Sequence, residues 1–392
     1  MNGVANSDGR RARIGFPNTT GRCYKWSGDL ETPNRTPEKM SKRSVTSYDV
    51  AKAVGVSQSA VSRAFMPGAP IAEKTRKRIL NTARELGYQP NAIARSMSSA
   101  RKDLPQRSGM VGVIVTRLQD PFFANTIAHF SNYLQARGWH MLLFTVDSEA
   151  EVDDALNALM QYKIDGVIVL SAILSDHMAK ACAAQDIPVM LYNRSATGLE
   201  VSSVEIDNFE GGRLAADLLR EAGRERIAFV GGDVGDDTTK EREAGFTERL
   251  AEDGLAPFQQ ESGDYTFDGG REAGLRLLAR QERPDAIFCA SDVMALGVLH
   301  AARFELGLEV PQDFSLVGFD DIPSAAWPGH MLTTIRQPIR RMIQEAVSLL
   351  IERMENPELD PMVSRFPGTL ILRESARYAG PSGRAAVTSR SP

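Results

Sequence analysis

The run Val45-Thr46-Ser47-Tyr48-Asp49-Val50-Ala51-Lys52-Ala53-Val54-Gly55-Val56-Ser57-Gln58-Ser59-Ala60-Val61-Ser62-Arg63-Ala64 reads as two short helices joined by a tight turn. It constrains the chain more than any other segment. Thr46 or Ser47 caps a first helix over about Ser47–Val54, and Gly55 ends it. Ser57 caps a second helix over about Gln58–Met66, before Pro67-Gly68 breaks the chain. Val50, Ala51 and Val54 face inward, Val56 plugs the core, and Val61 packs the second helix on the first. Gln58, Ser59, Ser62 and Arg63 are left on an outer polar face. Such a helix fits the major groove of DNA, where glutamine pairs with adenine and arginine with guanine. A third helix is expected over about Glu73–Leu86, ending at Gly87, and a weaker fourth over about Asn91–Ser98. Arg101–Ser108 then reads as a polar linker.

Charge points the same way. The whole chain carries a formal charge of −4, yet Lys42–Lys102 holds 12 basic against 3 acidic residues. A basic head on an acidic body confines a nucleic-acid footprint to one end. Residues 1–43, rich in Gly, Asn, Thr, Pro and Arg, show no periodicity and are expected to be disordered. Met40-Ser41-Lys42-Arg43 resembles a translation start, which would make residues 1–39 an annotation artefact. Cys23, Cys182 and Cys289 have neither zinc-site nor disulfide spacing, and the last two sit in apolar stretches as expected buried thiols. No apolar run is long enough to span a membrane and no secretory signal opens the chain, so the cytoplasm is the expected location.

From Met110 the pattern changes. Apolar runs at Val111–Val115, Met141–Val146, Gly166–Leu170, Val189–Tyr192, Val204–Ile206, Ile227–Val230, Ala286–Ala290 and Ser315–Phe319 read as strands. Helical patterns lie between them, at Phe123–Arg137, Val152–Tyr162, Phe209–Ala222, Gly269–Arg280, Val293–Glu305 and Ile339–Met354. Such alternation indicates parallel sheets covered by helices, and so many units favour two similar lobes facing a cleft. Ligands in these folds bind beyond the carboxyl ends of strands. No Walker loop, GxGxxG, GxSxG or HExxH is present, and the five histidines are scattered. Nothing implies a cofactor, a metal or catalysis.

The helix-turn-helix, continued by Lys74-Thr75-Arg76, Glu85-Leu86-Gly87-Tyr88-Gln89-Pro90-Asn91 and Ala94-Arg95-Ser96, resembles the head of the lactose-repressor (LacI/GalR) family. The resemblance extends to about Ser375. It implies a small all-α head followed by a two-lobed α/β domain like the periplasmic binding proteins. Residues 1–43 would be an extension, 44–90 the DNA-binding domain, 91–108 a hinge helix and linker, 109–378 the effector-binding and dimerisation domain, and 379–392 a disordered tail. Base reading would fall to Gln58, Ser59 and Arg63, with Thr46, Tyr48, Ser62, Tyr88 and Asn91 near phosphates. Ala94 and Met97 would belong to a hinge helix in the minor groove, Met97 standing where the family has a wedging leucine. The linker, with Pro105 inside it, runs a few residues longer than is usual in the family.

In the body the resemblance carries over to Asp120-Pro121-Phe122-Phe123, in which Phe122 or Phe123 either stacks on a ligand or belongs to the core. It also carries over to Asn193 after the fourth strand, Asp236 and Thr238, Tyr265, and Arg242 of Arg242-Glu243-Ala244-Gly245-Phe246. Asp320 of Gly318-Phe319-Asp320-Asp321-Ile322 would accept hydrogen bonds from the ligand, and Ser291 replaces a common asparagine. The glycines of Asp207-Asn208-Phe209-Glu210-Gly211-Gly212 read as helix packing. Leu332–Pro338 reads as a crossover between lobes. The implied effector is a sugar or sugar acid, and the implied partners are a double-stranded operator and a second copy of the chain. No leucine heptad follows the fold, so a dimer is expected rather than a tetramer. The competing expectations are a solute-binding receptor for transport and, further off, a sugar-acting enzyme.

Overall fold

The computed structural model describes residues 45–66, 68–89, 107–172, 174–196, 198–233 and 236–378. Its contacts divide the chain into two units, Met1–Pro90 and Asn91–Pro392. Asn91, Ala94, Met97 and the expected hinge helix lie outside the described residues, as do Cys23 and the expected extension and tail. Among the described residues, no helix is long and apolar enough to cross a membrane.

The head comprises α1 (Ser47–Val54), α2 (Gln58–Ala64) and α3 (Glu73–Leu86). Thr46 opens α1 with a reciprocal cap. Its backbone N–H donates to Asp49 Oδ2 at 2.8 Å, and its Oγ1 accepts from the Asp49 backbone at 3.4 Å. Gly55 closes α1 at φ 73°, a conformation that disfavours any residue with a Cβ. Val50, Val61 and Ile79 are fully buried at the centre, with Ala51, Val54, Ala64 and Ala83 around them. α2 ends at Ala64, two residues earlier than its apolar pattern suggests, with Phe65 as its cap. The Arg76 guanidinium explains the turn that follows. It donates to the carbonyls of Ala64, Met66 and Ala69 at 3.0–3.2 Å, absorbing acceptors that the helix end leaves open.

The body contains two six-stranded sheets, each wrapped by helices. The first holds β1 (Met110–Val115), β2 (His140–Thr145), β3 (Gly166–Leu170), β4 (Val189–Tyr192), β5 (Ser202–Ile206) and β11 (Val363–Phe366), in the order β11-β5-β4-β3-β1-β2 and all parallel. The second holds β6 (Ile227–Gly231), β7 (Gln259–Ser262), β8 (Ala286–Cys289), β9 (Ser315–Asp320), β10 (Thr333–Arg336) and β12 (Thr369–Ile371), in the order β12-β10-β9-β8-β6-β7. Only the β10–β12 pair is antiparallel among them.

Helices α4 (Pro121–Gln135), α5 (Val152–Met160) and α6 (Asp176–Ala183) belong to the first lobe. The second lobe takes α7 (Asn208–Glu221), α8 (Asp237–Glu252), α9 (Phe267–Leu278) and α10 (Asp292–His300), the last continued by a π-helical turn, Ala301–Glu305. The chain then leaves β10 and returns to the first lobe as α11 (Ile339–Glu355), which packs on α4, β3, β4 and β5. Leu332–Pro338 is therefore a crossover. The central strands of both sheets are buried on both faces, as their apolar runs require. Cys182 and Cys289 are buried free thiols.

Two helices of the second lobe meet backbone to backbone. A Cβ on Gly212 would fall on the Arg242 carbonyl oxygen, and one on Gly245 on the Phe209 carbonyl oxygen. Of the glycines in Asp207–Gly212, Gly212 thus serves the close packing of α7 on α8, while Gly211 makes room for the Phe319 ring of β9.

Candidate functional site

On the head, α2 presents Gln58, Ser59 and Arg63 exposed and Ser62 half-buried. Gln58 Nε2 donates to Ser47 Oγ at 2.7 Å, and Ser57 and Ser59 share a hydroxyl contact at 2.9 Å. These bonds orient the side chains, and the Gln58 amide keeps its oxygen and a second N–H for a base. Tyr48 is 63% exposed, and Thr46 is exposed at the cap. Tyr88 is half-buried, its ring meeting Phe65 edge-on at 5.8 Å, so packing fixes the ring while the head is folded.

In the body, a narrow cleft with a free volume of about 30 Å³, partly open to solvent, is lined from both lobes. The first lobe contributes Arg117, Asp120, Phe122, Phe123, Ser171 and Asn193, and the second Asp236, Thr238, Arg242, Tyr265 and Asp320. Five lie at or just beyond the carboxyl ends of strands: Arg117 after β1, Ser171 after β3, Asn193 after β4, Tyr265 after β7 and Asp320 at the end of β9. Ser171, Asn193, Tyr265 and Asp320 hold positive φ angles of 51°, 58°, 53° and 112°. Backbone held there by non-glycine residues is a cost that clusters at ligand sites.

Helix caps supply two of the polar groups. Asp120 caps α4 and accepts from the Phe122 N–H at 2.9 Å. Burial raises its pKa against the pull of that bond, Arg117 and Arg242. Asp236 caps α8, accepting from Thr239 N at 3.0 Å and from the Tyr265 hydroxyl at 3.0 Å. It also meets Arg194 of the first lobe at 2.6 Å. Burial alone would raise the Asp236 carboxyl, but Arg194 and the Thr239 N–H outweigh it and hold its pKa below the usual carboxylate value. A second bridge spans the lobes: Arg117 lies 3.3 Å from Asp233 and 4.6 Å from the centre of the Tyr265 ring.

Arg242 is 2% exposed. Its Nε donates to Asn208 Oδ1 at 2.9 Å, its Nη1 donates to the Ala290 carbonyl, and its Nη2 stands 3.7 Å from Asp320. The guanidinium also lies over the Phe319 ring. It lines the cleft with two of its five N–H donors already committed to hydrogen bonds. Asp320 accepts from Gln337 Nε2 at 2.7 Å, and burial, helped by Asp120 and opposed by Arg242, pushes its pKa up to about 7. Phe122 and Phe123 are core and cleft wall at once, being 3% and 6% exposed and edge-on to each other at 5.2 Å.

The cleft thus gathers the expected Phe122, Phe123, Asn193, Asp236, Thr238, Arg242, Tyr265 and Asp320, but not Ser291. Ser291 is 1% exposed and caps α10 through the Met294 N–H. β8 ends at Cys289 and the helix begins at Asp292, so the serine hydroxyl is spent on the cap instead of facing the cleft. Arg117 and Ser171 were not among the expected residues, whereas Arg194 belongs to the run Leu191–Arg194 that was expected beside the cleft. The signal for the two that were missed was their position just after an apolar run.

The family model described as bacterial regulatory proteins, lacI family, matches residues 46–91, and one described as a periplasmic binding protein-like domain matches residues 216–376. The chain is 32% identical over 342 residues to the HTH-type transcriptional repressor PurR of Erwinia tasmaniensis, covering 84% of this chain and 96% of that protein. It is 30% identical over 338 residues to catabolite control protein A of Priestia megaterium, covering 85% and 99%. The lac repressor dimer bound to operator and the anti-inducer ONPF superposes with a TM-score of 0.74 at 26% identity, covering 85% of this chain and 99% of that one. The transcriptional regulator CelR in complex with cellobiose gives 0.62 at 30% identity, covering 85% and 100%. With a capped helix-turn-helix at one end and a two-lobed cleft in the body, the chain belongs to the LacI family of bacterial regulatory proteins and is a DNA-binding transcriptional regulator, not an enzyme.

Proposed function

We propose that the chain represses transcription by binding a partly palindromic operator as a homodimer, with affinity set by a small polar effector in the cleft. The observation that carries this is the cleft itself, built from strand ends of both lobes, so that a ligand there touches two bodies at once. The base readers would be Gln58, Ser59 and Arg63, with Thr46, Tyr48, Ser62, Tyr88 and Asn91 near phosphates. Ala94 and Met97 would act at the hinge, Met97 as a minor-groove wedge. If operator bending is unchanged in Met97→Ala, the wedge assignment is wrong.

The charge arrangement favours a neutral, donor-rich effector such as a sugar over a sugar acid. Asp120, Asp236 and Asp320 line the cleft against Arg117 and Arg242. Those guanidiniums already face Asp233, Asn208, the Ala290 carbonyl and Asp320. The buried Asn193 Oδ1 has no hydrogen-bond partner, an acceptor waiting for a donor. The neighbour with cellobiose bound supports the same ligand class.

A second copy has a suitable face on the second lobe. Phe304 is 77% exposed and Trp327 59%, and His300 packs between Phe267 and Phe304. Arg303 Nη1 donates to the Gly329 carbonyl at 2.6 Å and ties these two apolar segments together. The lac repressor neighbour is itself a dimer. Sedimentation of Phe304→Glu should show a monomer; an intact dimer moves the interface elsewhere.

The deciding experiment is a thermal-shift screen of the full chain against sugars, sugar acids and nucleobases. Hits are then tested on operator DNA selected from a random duplex library. A neutral sugar that raises the melting temperature and changes operator affinity is the expected result. A ligand that binds without changing operator affinity, or one that is turned over, overturns the reading.

A further inference from the structure

We infer that α11 is the rod connecting the cleft to the linker, and that Gln337 and Arg107 are positioning residues at its two ends; this rests on the effector reading of the cleft. Gln337 immediately precedes the helix and is 2% exposed. Its Nε2 donates to the cleft residue Asp320, and its Oε1 is buried without a hydrogen-bond partner. A ligand that engages Asp320 therefore changes what Gln337 can bond, and the amide has an unused acceptor with which to respond.

The helix that follows has 17 residues, a span of roughly 25 Å, and leaves the second lobe to lie against the first. At its far end Arg107 Nη2 donates to the Met354 carbonyl at 2.8 Å, one of the acceptors a helix C-terminus leaves open. Arg107 also sits 4.0 Å from Glu355. The Met354 side chain occupies the space that a Cβ on Gly166 would need.

The neighbouring Asp165 then takes the chain in hand. Its Oδ1 accepts from Ser108 N at 3.0 Å, and its Oδ2 from Ser108 Oγ at 2.9 Å and Gly109 N at 2.6 Å. The end of the helix thus meets both the clamp residue's neighbour and the last residues of the linker. From Arg107 the chain leads back in sequence to the hinge and the head. A shift or rotation of α11 is transmitted to Arg107–Gly109 because the hydrogen bonds at each end are short and directional, buried at Gln337 and half-buried at Arg107–Gly109.

Hydrogen–deuterium exchange of the full chain, without ligand or DNA, tests the coupling in both directions. In Arg107→Gln, the amides of Arg341 and Met342, which donate to the Pro338 carbonyl in the first turn, should exchange several-fold faster, and Arg107→Lys should restore them. A purely local role for Arg107 would speed exchange only in the last turn of α11 and at Ser108–Met110, and that outcome overturns the proposal. In Gln337→Glu the amides of Ser108 and Gly109 should lose protection; wild-type rates there also overturn it. Should Gln337→Glu fail to fold, the surface variant Arg107→Gln decides alone. A negative result removes the rod and leaves the cleft assignment standing, whereas failure of every screened sugar to bind removes only the cleft assignment.

Discussion

Arg194 and Asp236 meet at 2.6 Å across the cleft, one from each lobe, with both side chains 6% exposed. The pair joins the residue after Asn193 to the cap of α8, so the same contact closes the lobes and anchors a helix start. Burying two charges is costly, and the Asp236 carboxylate recovers part of that cost through the Thr239 N–H and the Tyr265 hydroxyl.

Removing one partner leaves the other charge buried. Arg194→Met is expected to cost about 3 kcal/mol in urea unfolding at neutral pH. The Asp236 pKa is depressed in the fold. Its contribution is therefore present above the unfolded carboxylate value of about 4 and lost as pH falls below it. The gap between wild type and variant should shrink below about pH 4. A loss under about 1 kcal/mol would mean the pair behaves as a solvated one.

Asp320 titrates inside the working range. With its pKa at about 7, it is neutral below and a pure acceptor above. A donor-rich effector gains from the charged form, so its affinity should rise as pH passes from 6 to about 8. Calorimetry in buffers of different ionisation enthalpy should show proton release on binding. Asp320→Asn should flatten the profile; an unchanged pH dependence would place the titrating group elsewhere. The stability effect has the opposite sign. A raised carboxyl pKa means the fold loses stability as pH rises from about 4 towards that value.

The glycine contacts between α7 and α8 leave no room for a methyl group. Gly245→Ala would press a Cβ onto the Phe209 carbonyl, which cannot move without its helix. Overpacking of this kind costs about 1–3 kcal/mol. The melting temperature should fall, and effector affinity with it, because Arg242 lies on the same helix one turn earlier. An alanine variant with wild-type stability would show that the two helices separate easily.

On the head, Gln58→Ala should reduce discrimination at one base pair by about 1–3 kcal/mol while leaving the salt dependence of binding unchanged. Thr46→Ala should lower head stability by about 1 kcal/mol through loss of the cap. Anisotropy titrations on selected and mismatched duplexes check the first, and thermal unfolding the second. A uniform loss across all sequences would demote Gln58 to a phosphate contact.

Much of the head was legible before any coordinates. Caps at Thr46 and Ser57, the turn at Gly55 and the inward Val50, Val54 and Val61 act over a few residues, where spacing and backbone preference decide structure. The central strands were legible for a similar reason, since burial on both faces demands continuous apolar runs. β7, β10, β11 and β12 were not. Gln259–Ser262 and Val363–Phe366 are edge strands, half-exposed and partly polar, and carry no such run. α8 escaped because its buried face uses Thr239, Arg242 and Gly245 beside Phe246 and Leu250 rather than an apolar stripe.

The cleft divides along the same line. Local patterning and family resemblance sufficed to mark Phe122, Asn193, Arg242 and Asp320, each just beyond a strand or on a signature helix. Which of their atoms remain available depends on partners far away in the chain. Ser291 is used up by its own helix cap, Arg242 is held by Asn208 and the Ala290 carbonyl, and Arg194 finds Asp236 only when the two lobes face each other. Hydrogen-bond commitment is a property of folded neighbours. Residue types and spacing therefore announce a DNA-binding regulator with a two-lobed cleft, while the closed packing of the lobes settles which groups still face a ligand.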